Sequence, residues 1–211
     1  MKMNETEFFE VWSKAHGDAE IKGVVKAWLK ISFRICNFLL RLRLTPNGLT
    51  YSALFLALGF IATIESNWAI LFLVLSLAAD GLDGTLAMIS NRVTKWGATL
   101  DAVVDRAVEI FWVLGLFILG GDIKVLLLAG IAAFTQEYLR ARAAGLGVNK
   151  IGVVTPAERP VRASLVFVAL IAQSFDYDLI GIICLAWLIL QSFSLTRLII
   201  ALRPLLQQSQ R

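Results

Sequence analysis

The chain has 211 residues, 58% of them hydrophobic and only 17% charged, with a formal net charge of +4. Its mean hydropathy of +0.73 excludes an ordinary soluble domain, whose apolar share is about 45–50%. The few charges cluster between long apolar runs, so one helical membrane domain is expected, with membrane lipids as its surroundings and no nucleic-acid partner.

Residues 1–43 read as a cytoplasmic N-terminal segment. The opening MKMNETEFFEVWSK carries acids and aromatics where a secretory leader has a short apolar core, so the N-terminus is kept in the mature protein. His16 lies in a polar stretch and receives no catalytic or ligand role. Over 18–42, Lys22, Lys26, Lys30 and Arg34 recur every four residues, with Ile21, Val24, Val25, Trp28, Ile35 and Phe38 mostly on the other side. That pattern predicts an amphipathic helix. Lying in the membrane interface, it gains about 1 kcal/mol per basic residue from anionic headgroups.

Residues 44–203 are expected to form the catalytic membrane domain, and 204–211 a cytoplasmic tail. Apolar stretches run over 48–64, 68–89, 97–119, 125–139, 161–175 and 179–201, several near the ~20 residues that cross a bilayer as a helix. The fold expected is all-α, six transmembrane helices with the interfacial helix before them. Thr45-Pro46 supplies an N-cap and a first-turn proline for the first span, and Asn47 sits in that turn. Arg41, Arg43, Arg92, Lys95, Arg140, Arg142, Lys150, Arg159, Arg162 and Arg203 gather at one set of span ends, while Lys124 stands alone at the other. The positive-inside bias therefore puts both termini, and the site that follows, on the cytoplasmic side of the cell membrane. Cys36 and Cys184 are lone residues in apolar surroundings and read as inert core thiols.

Asp80 and Asp83 in the second span, and Asp101 and Asp105 in the third, break the apolar pattern. A carboxylate costs roughly 2.5–3.5 kcal/mol at a bilayer centre, so something must compensate them. Spacings of three and four project each pair from one helix face. Two facing pairs make an oxygen cage that suits a hard dication, Mg²⁺, Mn²⁺ or Ca²⁺, better than zinc. Glu109 continues the same face one turn on and is expected either to support the site or to pair with an arginine. Gly84 and Gly97, with the small Ala87, leave room for a substrate beside the carboxylates, and such residues also permit close helix packing.

Asp80-Gly-Leu-Asp83-Gly84-Thr-Leu-Ala87-Met88, followed by Gly97, Asp101 and Asp105, resembles the signature of the CDP-alcohol phosphatidyltransferases. Seven of its eight fixed positions match across 26 residues, and Leu44-Thr45-Pro46-Asn47-Gly48-Leu49-Thr50 upstream fits the same family. The resemblance implies two Mg²⁺ or Mn²⁺ ions on Asp80, Asp83, Asp101 and Asp105. It implies Asp105 as the general base, and Asn47, Gly84, Ala87 and Gly97 as contacts to the donor, CDP-diacylglycerol. Met88 departs from the family's arginine, and Arg92, one helical turn further on, is expected to reach back to the same place.

Arg140 and Arg142 follow Tyr138, Glu158-Arg159-Pro-Val-Arg162 forms a loop motif, and Arg197 lies within the last apolar run, where an unpaired guanidinium is costly. The set is similar to that of bacterial phosphatidylinositol phosphate synthases, which implies inositol phosphate or another phosphorylated alcohol as acceptor, held by Arg140, Arg142, Arg159, Arg162 and Arg197. Glycerol 3-phosphate is the competing acceptor, and a homodimer is expected. Met88 also raises a non-catalytic lipid-binding relative, although such a protein would have lost carboxylates that here all remain. A cation transporter would spread ionisable residues along a path instead of concentrating them near one side.

Overall fold

The computed structural model describes residues 3–15, 18–148 and 153–208; His16 and Lys150 lie outside them. Among the described residues there are eight helices and no strand: α1 (Glu5–Ala15), α2 (Gly23–Arg41), α3 (Pro46–Ala62), α4 (Trp68–Ile89), α5 (Lys95–Ile118), α6 (Ile123–Gly145), α7 (Arg159–Ser174) and α8 (Ile180–Gln208). Each of the six expected apolar stretches becomes one helix, α3 to α8.

Local chemistry sets the boundaries. Asn4 and Glu7 exchange amide-to-side-chain hydrogen bonds, both 2.9 Å, as a capping box that starts α1. Thr45 accepts from the Gly48 amide at 3.1 Å, Thr94 from the Gly97 amide at 2.9 Å, and Asp122 from the Lys124 and Val125 amides, which starts α3, α5 and α6. Helix ends turn through the left-handed region at Arg43, Asn91, Gly120, Gly147 and Asp176. At Asn91 the closure is complete: its amide donates to the Met88 carbonyl at 3.1 Å and the Arg92 amide to the Ala87 carbonyl at 2.8 Å.

Contacts divide the chain into two units, residues 1–59 with 72–108, and 60–71 with 109–211. In the first unit α1, missed in the sequence, lays Phe8 on α2, where its ring stacks on Phe33 at 5.5 Å. Phe8, Leu29, Cys36, Leu49, Leu82, Leu86 and Ile89 form the core there. The Ser76 hydroxyl donates to the Ala53 carbonyl at 2.8 Å and ties α4 to α3. The other face of α2 is exposed, with Val24, Trp28, Ile35 and Phe38 outward. In the second unit Ala143, Leu198 and Leu202 pack α6 on α8, and the buried Gln191 amide donates to Gln136 at 2.9 Å. Helices in lipid gain little from apolar burial, so such cross-helix hydrogen bonds, about 0.6 kcal/mol each, help set which faces meet.

By length and hydropathy, Trp68–Ile89 and Ile180–Gln207 qualify alone as membrane spans, and α2 with α3, bent by 104°, makes a third if counted as one. The expected six are not reached on that measure for a physical reason. Helix α5 carries Lys95, Asp101, Asp105, Arg106 and Glu109, and α6 carries Lys124, Glu137, Arg140 and Arg142, while α3 and α7 have 17 and 16 residues.

Candidate active site

Three carboxylates converge. Oxygens of Asp80 on α4 and of Asp101 and Asp105 on α5 all lie within 4.8 Å of one another, each side chain partly buried. Asp83, 7% exposed, has its own partner: Thr50 on α3 donates its hydroxyl to Oδ2 at 2.5 Å. Sequence reasoning assigned no role to Thr50, although it follows Asn47 by one helical turn. Arg106, also unanticipated, brings Nη2 to 3.8 Å from Asp105 Oδ2. Three carboxylate oxygens that converge this closely make an oxygen-only donor set, which fits a hard dication.

Beside this cluster lies a cavity of ≈160 Å³ whose lining includes Asp83 and Asp101. Pro46, Asn47 and Thr50 come from the first turns of α3, and Thr94, Gly97 and Ala98 from the start of α5. Two helix N-termini therefore face one space, each equivalent to about half a positive charge. Gly84, Ala87 and Met88 line it from α4. A Cβ on Gly97 would meet Thr94 Oγ1 at 3.0 Å and Asn47 Oδ1 at 3.3 Å, whereas one on Gly84 would point into open space. The expectation that Arg92 lies one turn further along the helix is corrected. Helix α4 stops at Ile89, and Asn91, with φ of 53°, folds the chain back. Arg92 nevertheless lines the same cavity as Met88.

The second unit holds the other expected cations. Arg140 Nη2 meets Glu158 Oε1 at 2.5 Å, and Glu158 also accepts from the Thr155 amide and hydroxyl at 2.8 and 2.7 Å. Burial pushes the Glu158 carboxyl up, but the Thr155 donors and the Arg140 guanidinium outweigh it and hold the group below its ordinary range. Arg159 stands 5.6 Å over the Trp112 ring with Nε 4.0 Å from Glu109 Oε1. Arg197 is exposed, 5.9 Å over Phe193, and Arg142 is exposed at the end of α6. Arg162 differs from these. It is fully buried, with Nε and Nη2 on Glu109 Oε1 at 3.2 and 2.6 Å, Nη2 also on Glu137 at 3.2 Å, and Nη1 on the Ala157 carbonyl at 2.6 Å. Glu109 thus pairs with arginines, one of the two roles its sequence position suggested.

Apolar helices that carry a converging acidic cluster beside an anion-suited cavity define a membrane-embedded enzyme of the phosphate-transfer kind. The model of the CDP-alcohol phosphatidyltransferase family matches residues 43–205, and the chain belongs to that family. It is therefore a transferase of phospholipid biosynthesis and an integral membrane protein. An archaetidylinositol phosphate synthase of Pyrococcus horikoshii is 31% identical over 168 residues, 74% of this chain and 84% of the relative. A phosphatidylinositol phosphate synthase of Corynebacterium glutamicum is 31% identical over 160 residues, 68% of this chain and 71% of the relative. Among solved structures, Mycobacterium tuberculosis phosphatidylinositol phosphate synthase with CDP-DAG bound shares the fold. Its TM-score is 0.65 at 22% identity, covering 82% of this chain and 92% of that one.

Proposed function

We propose that the protein transfers the phosphatidyl group of CDP-diacylglycerol to a hydroxyl of inositol phosphate and releases CMP. The observation that carries this reading is the approach of Asp80, Asp101 and Asp105 to within 4.8 Å of one another. Asp83 and Asp101 also line the cavity that the α3 and α5 N-termini and Arg92 share, and helix N-termini with a guanidinium suit the pyrophosphate of a nucleotide-linked lipid. Asp80, Asp83, Asp101 and Asp105 would hold two Mg²⁺ or Mn²⁺ ions, which when bound would neutralise charge on the pyrophosphate.

Asp105 accepts the proton of the acceptor hydroxyl as that oxygen bonds to the phosphatidyl phosphorus. The bond from phosphorus to the CMP oxygen breaks, and CMP departs with the electron pair. Asn47, Gly84, Ala87, Gly97 and Arg92 contact the donor. Arg140, Arg159 and Arg197, with Arg142 two residues after Arg140, receive the acceptor's phosphate. The relatives named as phosphatidylinositol and archaetidylinositol phosphate synthases support inositol phosphate over glycerol 3-phosphate.

In the membrane, α3 to α8 make six spans with both termini cytoplasmic, and α2 lies in the interface with its exposed apolar face among acyl chains. Two copies pair through their spans. The test is CMP release by purified protein given CDP-diacylglycerol, Mg²⁺ or Mn²⁺, and inositol phosphate, glycerol 3-phosphate, serine or free inositol. Release with inositol phosphate alone is expected; release with glycerol 3-phosphate alone replaces the acceptor, and no release without added metal but full release without any acceptor overturns the transfer reading.

A further inference from the structure

Arg159 and Arg162 stand one turn apart at the start of α7 and face the same oxygen, Glu109 Oε1. They do so unequally. Arg162, with none of its side chain exposed, takes the short contacts, 2.6 and 3.2 Å, whereas Arg159 stays at 4.0 Å with 17% of its side chain exposed. Arg162 also reaches Glu137 on α6 at 3.2 Å and the Ala157 carbonyl in the turn before α7 at 2.6 Å. A guanidinium enclosed this way persists only when its donors are matched, and here they are matched by three separate segments.

We infer that Arg162 is a positioning residue: by engaging Glu109 it keeps the Arg159 guanidinium from closing onto that carboxylate and leaves it directed to the acceptor's phosphate. The Trp112 ring, one turn after Glu109 on α5, lies 5.6 Å from the Arg159 guanidinium and steadies it. A carboxylate and a phosphate compete for the same fork of donors, so the neutralisation of Glu109 decides which of them Arg159 serves. The inference rests on the acceptor reading proposed above and gives the buried arginine a role in acceptor affinity that does not involve touching the acceptor.

The test is steady-state kinetics with CDP-diacylglycerol and inositol phosphate, each varied in turn. Arg162→Gln is expected to raise the KM for inositol phosphate about tenfold, with kcat and the donor KM within about twofold. Adding Glu109→Gln to it removes the competing carboxylate, and the acceptor KM of the double variant returns to within about threefold of the wild type. On an Arg159→Ala background, Arg162→Gln has no further effect on that KM. A double variant about tenfold impaired overturns the inference, as does a loss shared equally by donor KM and kcat. Because both buried charges leave together, the double variant carries the test even if Arg162→Gln alone does not fold. An Arg159→Ala enzyme with unchanged KM for every phosphorylated acceptor would instead remove the acceptor reading itself.

Discussion

Thr50 of α3 and Asp83 of α4 are joined by a hydroxyl-to-carboxylate hydrogen bond of 2.5 Å. It fixes the rotamer of the one motif carboxylate that stands outside the converging trio of Asp80, Asp101 and Asp105. Groups that orient metal ligands typically affect metal affinity or activity by about 10–100-fold. Thr50→Val keeps the volume and deletes the donor, so it is expected to raise the Mg²⁺ or Mn²⁺ concentration for half-maximal CMP release by about tenfold or more. A wild-type metal titration curve for this variant removes the role.

Asp105 is the proposed proton acceptor, and Asp105→Asn changes its charge with little change of shape. General-base catalysis contributes about 10²–10⁴-fold, and a lost metal ligand adds to that, so turnover should fall at least a hundredfold, to about 1% or less. Binding of CDP-diacylglycerol, followed by thermal shift or calorimetry, should persist, since the helix N-termini and Arg92 remain. Undiminished CMP release ends the base assignment.

Arg92 and Gly97 test the cavity from opposite sides. Arg92→Ala removes the cation that lines it, and a charge-assisted hydrogen bond is worth about 1.5–3 kcal/mol, so the donor KM should rise about tenfold or more. Gly97→Ala places a Cβ 3.3 Å from Asn47 Oδ1 and 3.0 Å from Thr94 Oγ1, and should weaken donor binding through displacement of Asn47, with acceptor KM unchanged. Unaltered donor KM in both variants detaches the cavity from the donor.

The aspartates and the long helices were legible because each depends on spacing along one segment. Trp68–Ile89 was read to the residue, since Asn67 and Ser90 bound a mainly apolar run that only a few polar residues, Asp80 and Asp83 among them, interrupt. Arg92 was misread because periodicity says nothing about a left-handed Asn91 that ends α4 early. Helix α1 was missed although Phe8, Phe9 and Trp12 lie on one helical face, because its reason to fold is the α2 surface it covers. The burial of Arg162 was out of reach for the same kind of reason: Glu109, Glu137 and Ala157 meet it from positions 53, 25 and 5 residues away. Burial of a charge is a property of the packed assembly, and a basic loop motif looks alike whether its last arginine faces water or the interior.

Glu158 links stability to pH. Its carboxyl accepts from Thr155 twice and from Arg140, which outweighs burial and holds it below the ordinary glutamate value of 4.5. A carboxyl whose folded pKa is depressed contributes fully above its unfolded pKa, and the contribution disappears as pH falls through the folded pKa. Thermal unfolding in detergent should therefore be flat from about pH 7 to about pH 5 with respect to this group and then decline. Glu158→Gln should start lower at neutral pH, by about 2–4 °C once solvent screening of a partly exposed pair is allowed for, and decline less in acid. Because Arg140 loses its partner in that variant, a drift in the acceptor KM should accompany the lower melting point. If the two proteins instead keep a constant difference across the whole range, the acid sensitivity belongs to other carboxylates, since only a group that titrates differently in the folded and unfolded chains can bend the curve.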